Sequence, residues 1–474
     1  MRPRIQLLTR ELVERILREA FELLMNPGVR VGSAAVVELL QSAGVEVKDG
    51  VARIPESVAQ ACLAPVPRDF YLYDRRGERA VHYGGDDVQF DPGSCCVQVL
   101  DPDTMEARPS ETRDLVRIVQ VAEMLPEFAA QATAVVCTDA PSEIGDLCRL
   151  RVVLEHSNKP VVTGSFSAEG LQGMIDLLAA DCGGRENLRK KPRAVFDVCP
   201  SPPLNWSEFG SHNLLDLARA GVPAEIVSMP LAGGTAPVTL AGSVTQHAAE
   251  ALAGITLHQL AGKGSPIVWG GAPAIFDMRT GGAPMGAVET AMLNMACAEV
   301  GKFLGLPTHG YLVATDSKFV DAQAGAESAR SAMLGALTGI NMISGAGMLE
   351  SLACQSVEKL VMDAESIASA YRLVRGIELR SETMATEMFA KTGLSGEFLK
   401  LKETRALFRQ EQHIPSAVID RSARGSEAPR DAFSRARARV DELVSQYQKP
   451  ALPEDVVREF RSIVEREAKR AGAV

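Results

Sequence analysis

The chain has 474 residues, 46% hydrophobic and 23% charged, with nine cysteines and a formal net charge of -10. That is a soluble globular composition with chain enough for a large core. Its acidic balance excludes general binding to nucleic acid or to an anionic membrane surface, both of which need a basic face. The cysteines form no CxxC pair and no evenly spaced framework, so they read as reduced thiols. No run of about 18 apolar residues is present. The opening MRPRIQLLTRELVERIL carries acids early and lacks the apolar core of a signal peptide. A cytoplasmic protein without a membrane span is expected.

From residue 10, an apolar stripe of Leu12, Ile16, Leu23 and Leu24 predicts a helix capped by Thr9 and stopped at Asn26-Pro27-Gly28. VEVKDGVARI alternates around Asp49-Gly50, a hairpin signal. FYLYDRRGERAVHY predicts a second hairpin. Residues 1–85 therefore read as a small mixed α+β module. Beyond it, strands are predicted over 96–99, 132–137, 160–164, 194–198, 224–229, 266–269, 310–314 and 340–343, with helical periods between most of them. Eight strands alternating with helices predict an α/β fold, a TIM (β/α)8 barrel, over residues 86–350. A doubly wound sheet fits less well, because no GxGxxG follows an early strand. Residues 351–474 turn helical and polar. They are expected to pack on the barrel or on a second subunit, so a homo-oligomer is expected.

Loops after barrel strands form the active face of this architecture. The loop after the sixth predicted strand offers Asp277 and Arg279, either a salt bridge or an anion clamp. Asp316, Lys318, Asp321, Gln323 and Glu327 follow the seventh as the densest polar cluster in the chain. They read as a site lining, with an inert helix cap as the alternative. LAGGTAPVTLAGS, residues 231–243, runs into a helix with Ser243 as its expected N-cap. His247 and His258 lie too far apart to share one ion, and His309, ahead of the seventh strand, is expected at the opposite end of the barrel. No GxSxG and no cysteine beside a base are present, so neither a metal nor a nucleophile is expected.

Taken together, AGGTAPVTLAG, DMRTGGAPMGAVE and ATDSKFVDAQAGAES resemble, in order, the trimethylamine methyltransferase family of corrinoid-dependent enzymes. The resemblance implies a barrel that passes a methyl group from an amine to the cobalt of a separate corrinoid (cobalamin) protein, with no cofactor held permanently. The founding branch uses pyrrolysine. This chain has only the twenty common residues, and so resembles the branch that demethylates quaternary amines such as glycine betaine. The resemblance implies Arg279 for a substrate carboxylate and Asp316 or Asp321 for the ammonium charge. Lys318 would orient those acids or contact the substrate carboxylate, with Gln323 and Glu327 behind them. Phe90, Phe166, Trp206, Phe276 and Tyr311 are candidate walls of a cation cage. A pterin-dependent barrel methyltransferase and a non-catalytic betaine-binding protein are the alternatives.

Overall fold

Eight short parallel strands form the centre of the computed structural model, which describes residues 2–423 and 428–473. They are β1 (Gln89–Pro92), β2 (Gln131–Ala132), β3 (Val161–Thr163), β4 (Ala194–Val198), β5 (Ala224–Ser228), β6 (Ile267–Gly271), β7 (His309–Tyr311) and β8 (Met342–Ala346). Strands β2 to β6 pair in order, and β7, β8 and β1 form a second run. The runs are joined by a bridge between Trp269 and Thr308, and by the Ala129 N–H donating to the Phe90 carbonyl at 3.0 Å. The sheet thus closes into the expected (β/α)8 barrel.

Two strands differ from expectation. The first is Gln89–Pro92, not 96–99, because Asp91 and the strand-ending Pro92 interrupt the apolar run that would mark it. Gln98–Leu100 instead pairs with Ala107–Pro109 and Cys354–Gln355 in a small separate sheet. The second strand hydrogen-bonds only over Gln131–Ala132, so most of 132–137 lies beyond it.

The hairpin of Phe70–Tyr73 and Arg79–Tyr83 carries Leu72, Val81 and Tyr83 into one buried cluster with Ala130, Val162, Val195, Val268 and Met342. These last five are inward residues of the strands or lie just before them, so the hairpin corks the N-terminal end of the barrel. Helices Arg10–Met25, Ala34–Ser42 and Glu56–Leu63 pack on helix Leu240–Ala261. That helix is therefore buried without a break from Ser243 to Gln259, which explains its lack of a polar face. Its cap is Thr239, whose hydroxyl accepts from Gly242 N, four residues before the expected Ser243. Thr9 caps the first helix as expected.

Gly254 of the same helix faces Trp206. A Cβ there would overlap the indole ring and meet Ile226 Cδ1 at 2.8 Å. Gly254→Val is expected to destabilise by about 2–3 kcal/mol through overpacking. A denaturant midpoint equal to that of the wild type would contradict this. Behind the barrel, Ala432–Gln446 packs on Val357–Arg375, and Glu454–Arg470 on Ala168–Cys182. No helix among the described residues is long and apolar enough to cross a membrane.

Candidate active site

Three barrel strands carry one acid each within otherwise apolar sequence: Asp91 in β1, Asp197 in β4 and Glu225 in β5. Strand alternation puts Asp197 on the same face as Val195, a barrel-interior residue. The parallel register sets Asp197 beside Glu225 on the neighbouring strand. Tyr83 of the cork donates its hydroxyl to Glu225 Oε2 at 3.1 Å. Gly270 leaves room on the next strand, since a Cβ there would sit 3.0 Å from His309 Nδ1 and 3.1 Å from Glu225 Cγ. His309, the first residue of β7, thus points inward beside Glu225, on the corked side of the barrel expected for it. Its Nδ1 lies 3.1 Å from Glu225 Oε1, without hydrogen-bond alignment. Its Nε2 is 3.0 Å from Ser344 Oγ, and Ser344 donates to Asp91 Oδ1 at 2.6 Å. With Ser344 donating to Asp91, His309 Nε2 is the donor to Ser344. Nδ1 then turns its lone pair to Glu225, which suits a protonated Glu225.

Electrostatics separate these acids. Burial pushes Asp91 and Glu225 well above the carboxylate range, and Asp197 adds to the rise at Glu225. Burial lowers His309 to about 3, so the ring is neutral. Asp197 is raised only to about 7. Three carboxyls that cannot all ionise in one apolar barrel therefore place their charge on Asp197 first. Asp197 is also the one of the three that reaches partial exposure. It pairs with no Lys, Arg or His among the described residues, and its Oδ1 has no hydrogen-bond partner.

Above Asp197 the barrel opens. Cys199, two residues on along the same strand direction, is exposed at the mouth, and the crowded barrel end around it and the Asp197 charge push its thiol up. It is no thiolate nucleophile at neutral pH. Tyr311 donates to Ser94 Oγ at 3.4 Å, and Ser94 Oγ is 3.7 Å from Cys95 Sγ. Arg149, fully buried, donates from Nη1 to Cys95 Sγ at 3.5 Å and to the Thr133 carbonyl at 3.0 Å. The Phe166 ring lies 4.3 Å from its guanidinium carbon. Large apolar side chains stand exposed in loops after the strands: Val97, Phe166, Met229, Val238, Met278 and Phe319.

The family described as trimethylamine methyltransferase (MTTB) matches residues 1–472. The chain belongs to the trimethylamine methyltransferase family. It is 30% identical to the trimethylamine methyltransferase MttB of Desulfitobacterium hafniense (strain DSM 10664 / DCB-2), over 94% of this chain and 90% of that one. It is 28% identical to the glycine betaine methyltransferase of Desulfitobacterium hafniense (strain Y51), over 99% and 98%. The Methanosarcina barkeri monomethylamine methyltransferase has a similar fold, with a TM-score of 0.52 at 12% identity, covering 98% of this chain and 88% of that chain.

In this family member the acids and amides after β7 are engaged with the protein itself. Asp316 accepts from Met285 N at 2.7 Å, Gly286 N at 3.1 Å and Ser351 Oγ at 2.7 Å, latching two mouth loops together. Glu327 accepts from Asp316 N at 2.9 Å and from Gln323 Nε2 at 3.0 Å. Asp321 caps helix Ala322–Thr338, accepting from Ala324 N. Lys318 is exposed, 3.6 Å from Glu350. Arg279, with a side chain 88% exposed, lies 2.8 Å from Asp277. Phe90 packs edge-on against Tyr371 of the outer helix Val357–Arg375, and Trp206 is buried against helix Leu240–Ala261. Phe276 is partly exposed beside Gly234. Of the predicted residues, Tyr311 and Phe166 join the newly found Asp197, Cys95 and Arg149 at the mouth. The signal for Asp197 was present in the sequence, as a lone acid inside the apolar run AVFDV. Arg149 carried none, being one of several arginines in helical sequence.

Proposed function

We propose that this chain moves a methyl group from a quaternary amine, glycine betaine or a related betaine, to the cobalt of a cognate corrinoid protein. The observation that carries this reading is Asp197, an ionisable carboxyl at the barrel mouth with no cation paired to it among the described residues. A quaternary ammonium supplies that cation without donating a hydrogen bond, and Tyr311 brings an aromatic ring to the same end of the barrel. The corrinoid, in its cobalt(I) state on the partner, supplies the nucleophile. The carbon–nitrogen bond breaks, its electron pair stays on nitrogen, and a neutral tertiary amine leaves. No proton is needed, which fits a mouth whose one exposed thiol is protonated and whose histidine is buried and neutral. The chain's part is to hold the cation against Asp197, aim one methyl outward and exclude water. The exposed apolar loop residues, Met278 at 75% exposure among them, suit a docked protein over that mouth. We place the protein in the cytoplasm, as a homo-oligomer.

The test is methyl transfer from a panel of quaternary amines to a purified corrinoid protein reduced to cobalt(I), read from its visible spectrum. Transfer from one betaine is the expected result. Binding of a betaine without transfer to several competent corrinoid proteins would instead mark a binding protein.

A further inference from the structure

We infer that Arg149 is an anion subsite, receiving the carboxylate of a dipolar substrate whose ammonium end lies at Asp197. This deepens the proposed function and rests on it for the ammonium half only. Arg149 is fully buried, and no carboxylate lies within ion-pair distance of it among the described residues. Its Nη1 is used, by Thr133 and Cys95, but Nε and Nη2 have no hydrogen-bond partner among the described residues. The nearest acid in sequence, Asp146, is turned away and accepts from Ser165 Oγ at 2.8 Å and Phe166 N at 3.0 Å. A guanidinium taken out of water without a counter-charge is costly, and its planar fork matches the two oxygens of a carboxylate.

The subsite opens to the same mouth as Asp197. Cys95, which touches Arg149, is partly exposed, and a chain of polar contacts runs from it through Ser94 to Tyr311. Tyr311 in turn lies in the field of Asp197. Phe166 stacks over the guanidinium and is itself 48% exposed, so it covers the subsite from the solvent side. One cation and one anion fixed at the two sides of a single mouth complement a short zwitterion. A dianion such as phosphate is disfavoured by the ionised Asp197. Arg279, solvated and paired with Asp277, is replaced in this role by Arg149.

The experiment measures binding of glycine betaine, choline and acetate to the full chain by calorimetry, for wild type, R149K and R149Q. Choline carries the same cation with a hydroxyl in place of the carboxylate. The wild type is expected to prefer betaine over choline by about 10-fold to 100-fold, the range of a charge-assisted pair. R149Q should bind the two alike and lose acetate binding, while R149K keeps part of the preference. A betaine preference that survives in R149Q overturns the inference, as does a wild type that binds neither acetate nor betaine. If R149Q does not fold, the wild-type preference and its reduction in R149K decide. Arginine-dependent acetate binding with no methyl transfer from any amine leaves the subsite standing and sinks the transfer reading. Methyl transfer from choline and betaine at equal efficiency does the reverse.

Discussion

Asp197→Asn is expected to lower kcat/KM for methyl transfer by at least about 30-fold, since removing one partner of a desolvated charge pair costs about 2–5 kcal/mol. The same substitution is expected to raise the thermal midpoint of the unliganded protein at pH 8. The sign follows from linkage. An unfolded aspartate titrates near 3.9, and Asp197 in the fold titrates at about 7, raised by burial. The folded state therefore holds this proton more tightly. Its contribution to stability is fully present below about pH 4, declines as pH rises, and is lost above about pH 7. Facing it are Glu225, Asp91, Tyr83, Tyr311 and Cys199, all pushed up, and neutral His309; Glu225 and Asp91 add their own decline with rising pH and His309 an opposite tilt, in wild type and variant alike, so the difference between the two reports Asp197. Thermal scans of wild type and variant from pH 5 to 8 check this: the wild-type midpoint should fall relative to the variant. Affinity for a quaternary amine should move the opposite way, rising through pH 7 as Asp197 ionises. A variant with undiminished transfer would remove Asp197 from the site. One destabilised at every pH would show that it serves packing.

Lys359→Met is expected to have the largest effect on stability, about 3–5 kcal/mol, because it strands a buried carboxylate. Lys359 is fully buried, with Nζ 2.6 Å from Asp363. Burial lowers the lysine and raises the aspartate, and each opposes the other's shift. The pair also holds strained backbone. Val313 has φ 62°, a left-handed conformation that a β-branched residue rarely takes. Its N–H donates to Ser331 Oγ, and its carbonyl accepts from Ser328 Oγ at 3.0 Å and from Lys359 Nζ at 2.9 Å. Two residues before it stands Tyr311. The clamp therefore fixes the end of β7 that presents the tyrosine to the mouth. Lys359→Met combined with Asp363→Leu should recover most of the lost stability, since an apolar pair of similar volume replaces an ion pair with little penalty. Urea unfolding measures both. A single variant within about 1 kcal/mol of wild type would mean that the pair is not a clamp.

The barrel was legible because six of its strands are apolar runs set between amphipathic helices, and both early hairpins carry alternation. The strand containing Asp91 was not, because an acid and a proline within four residues erase the apolar signal. The same blindness hid most of the site. Reading polar residues in loops as the chemistry pointed to Asp316, Glu327 and Arg279, which the fold uses to tie loops together or leaves in solvent. The acids of the proposed site sit inside strands, where their meaning depends on which face turns inward. Arg149 shows its character only once Thr133, Cys95 and Phe166 surround it, since a buried guanidinium with idle donors looks in sequence like any other helical arginine.

The hairpin that corks the barrel has a kinetic consequence. A barrel stopped at one end has a single door, and small molecules share it with whatever protein lies across it. In the proposed reaction an amine enters before the corrinoid protein arrives, and the demethylated product stays trapped until that protein leaves. Steady-state patterns should therefore show compulsory order, with the spent amine competing against fresh amine. Excess partner should slow turnover by closing the door on an empty enzyme.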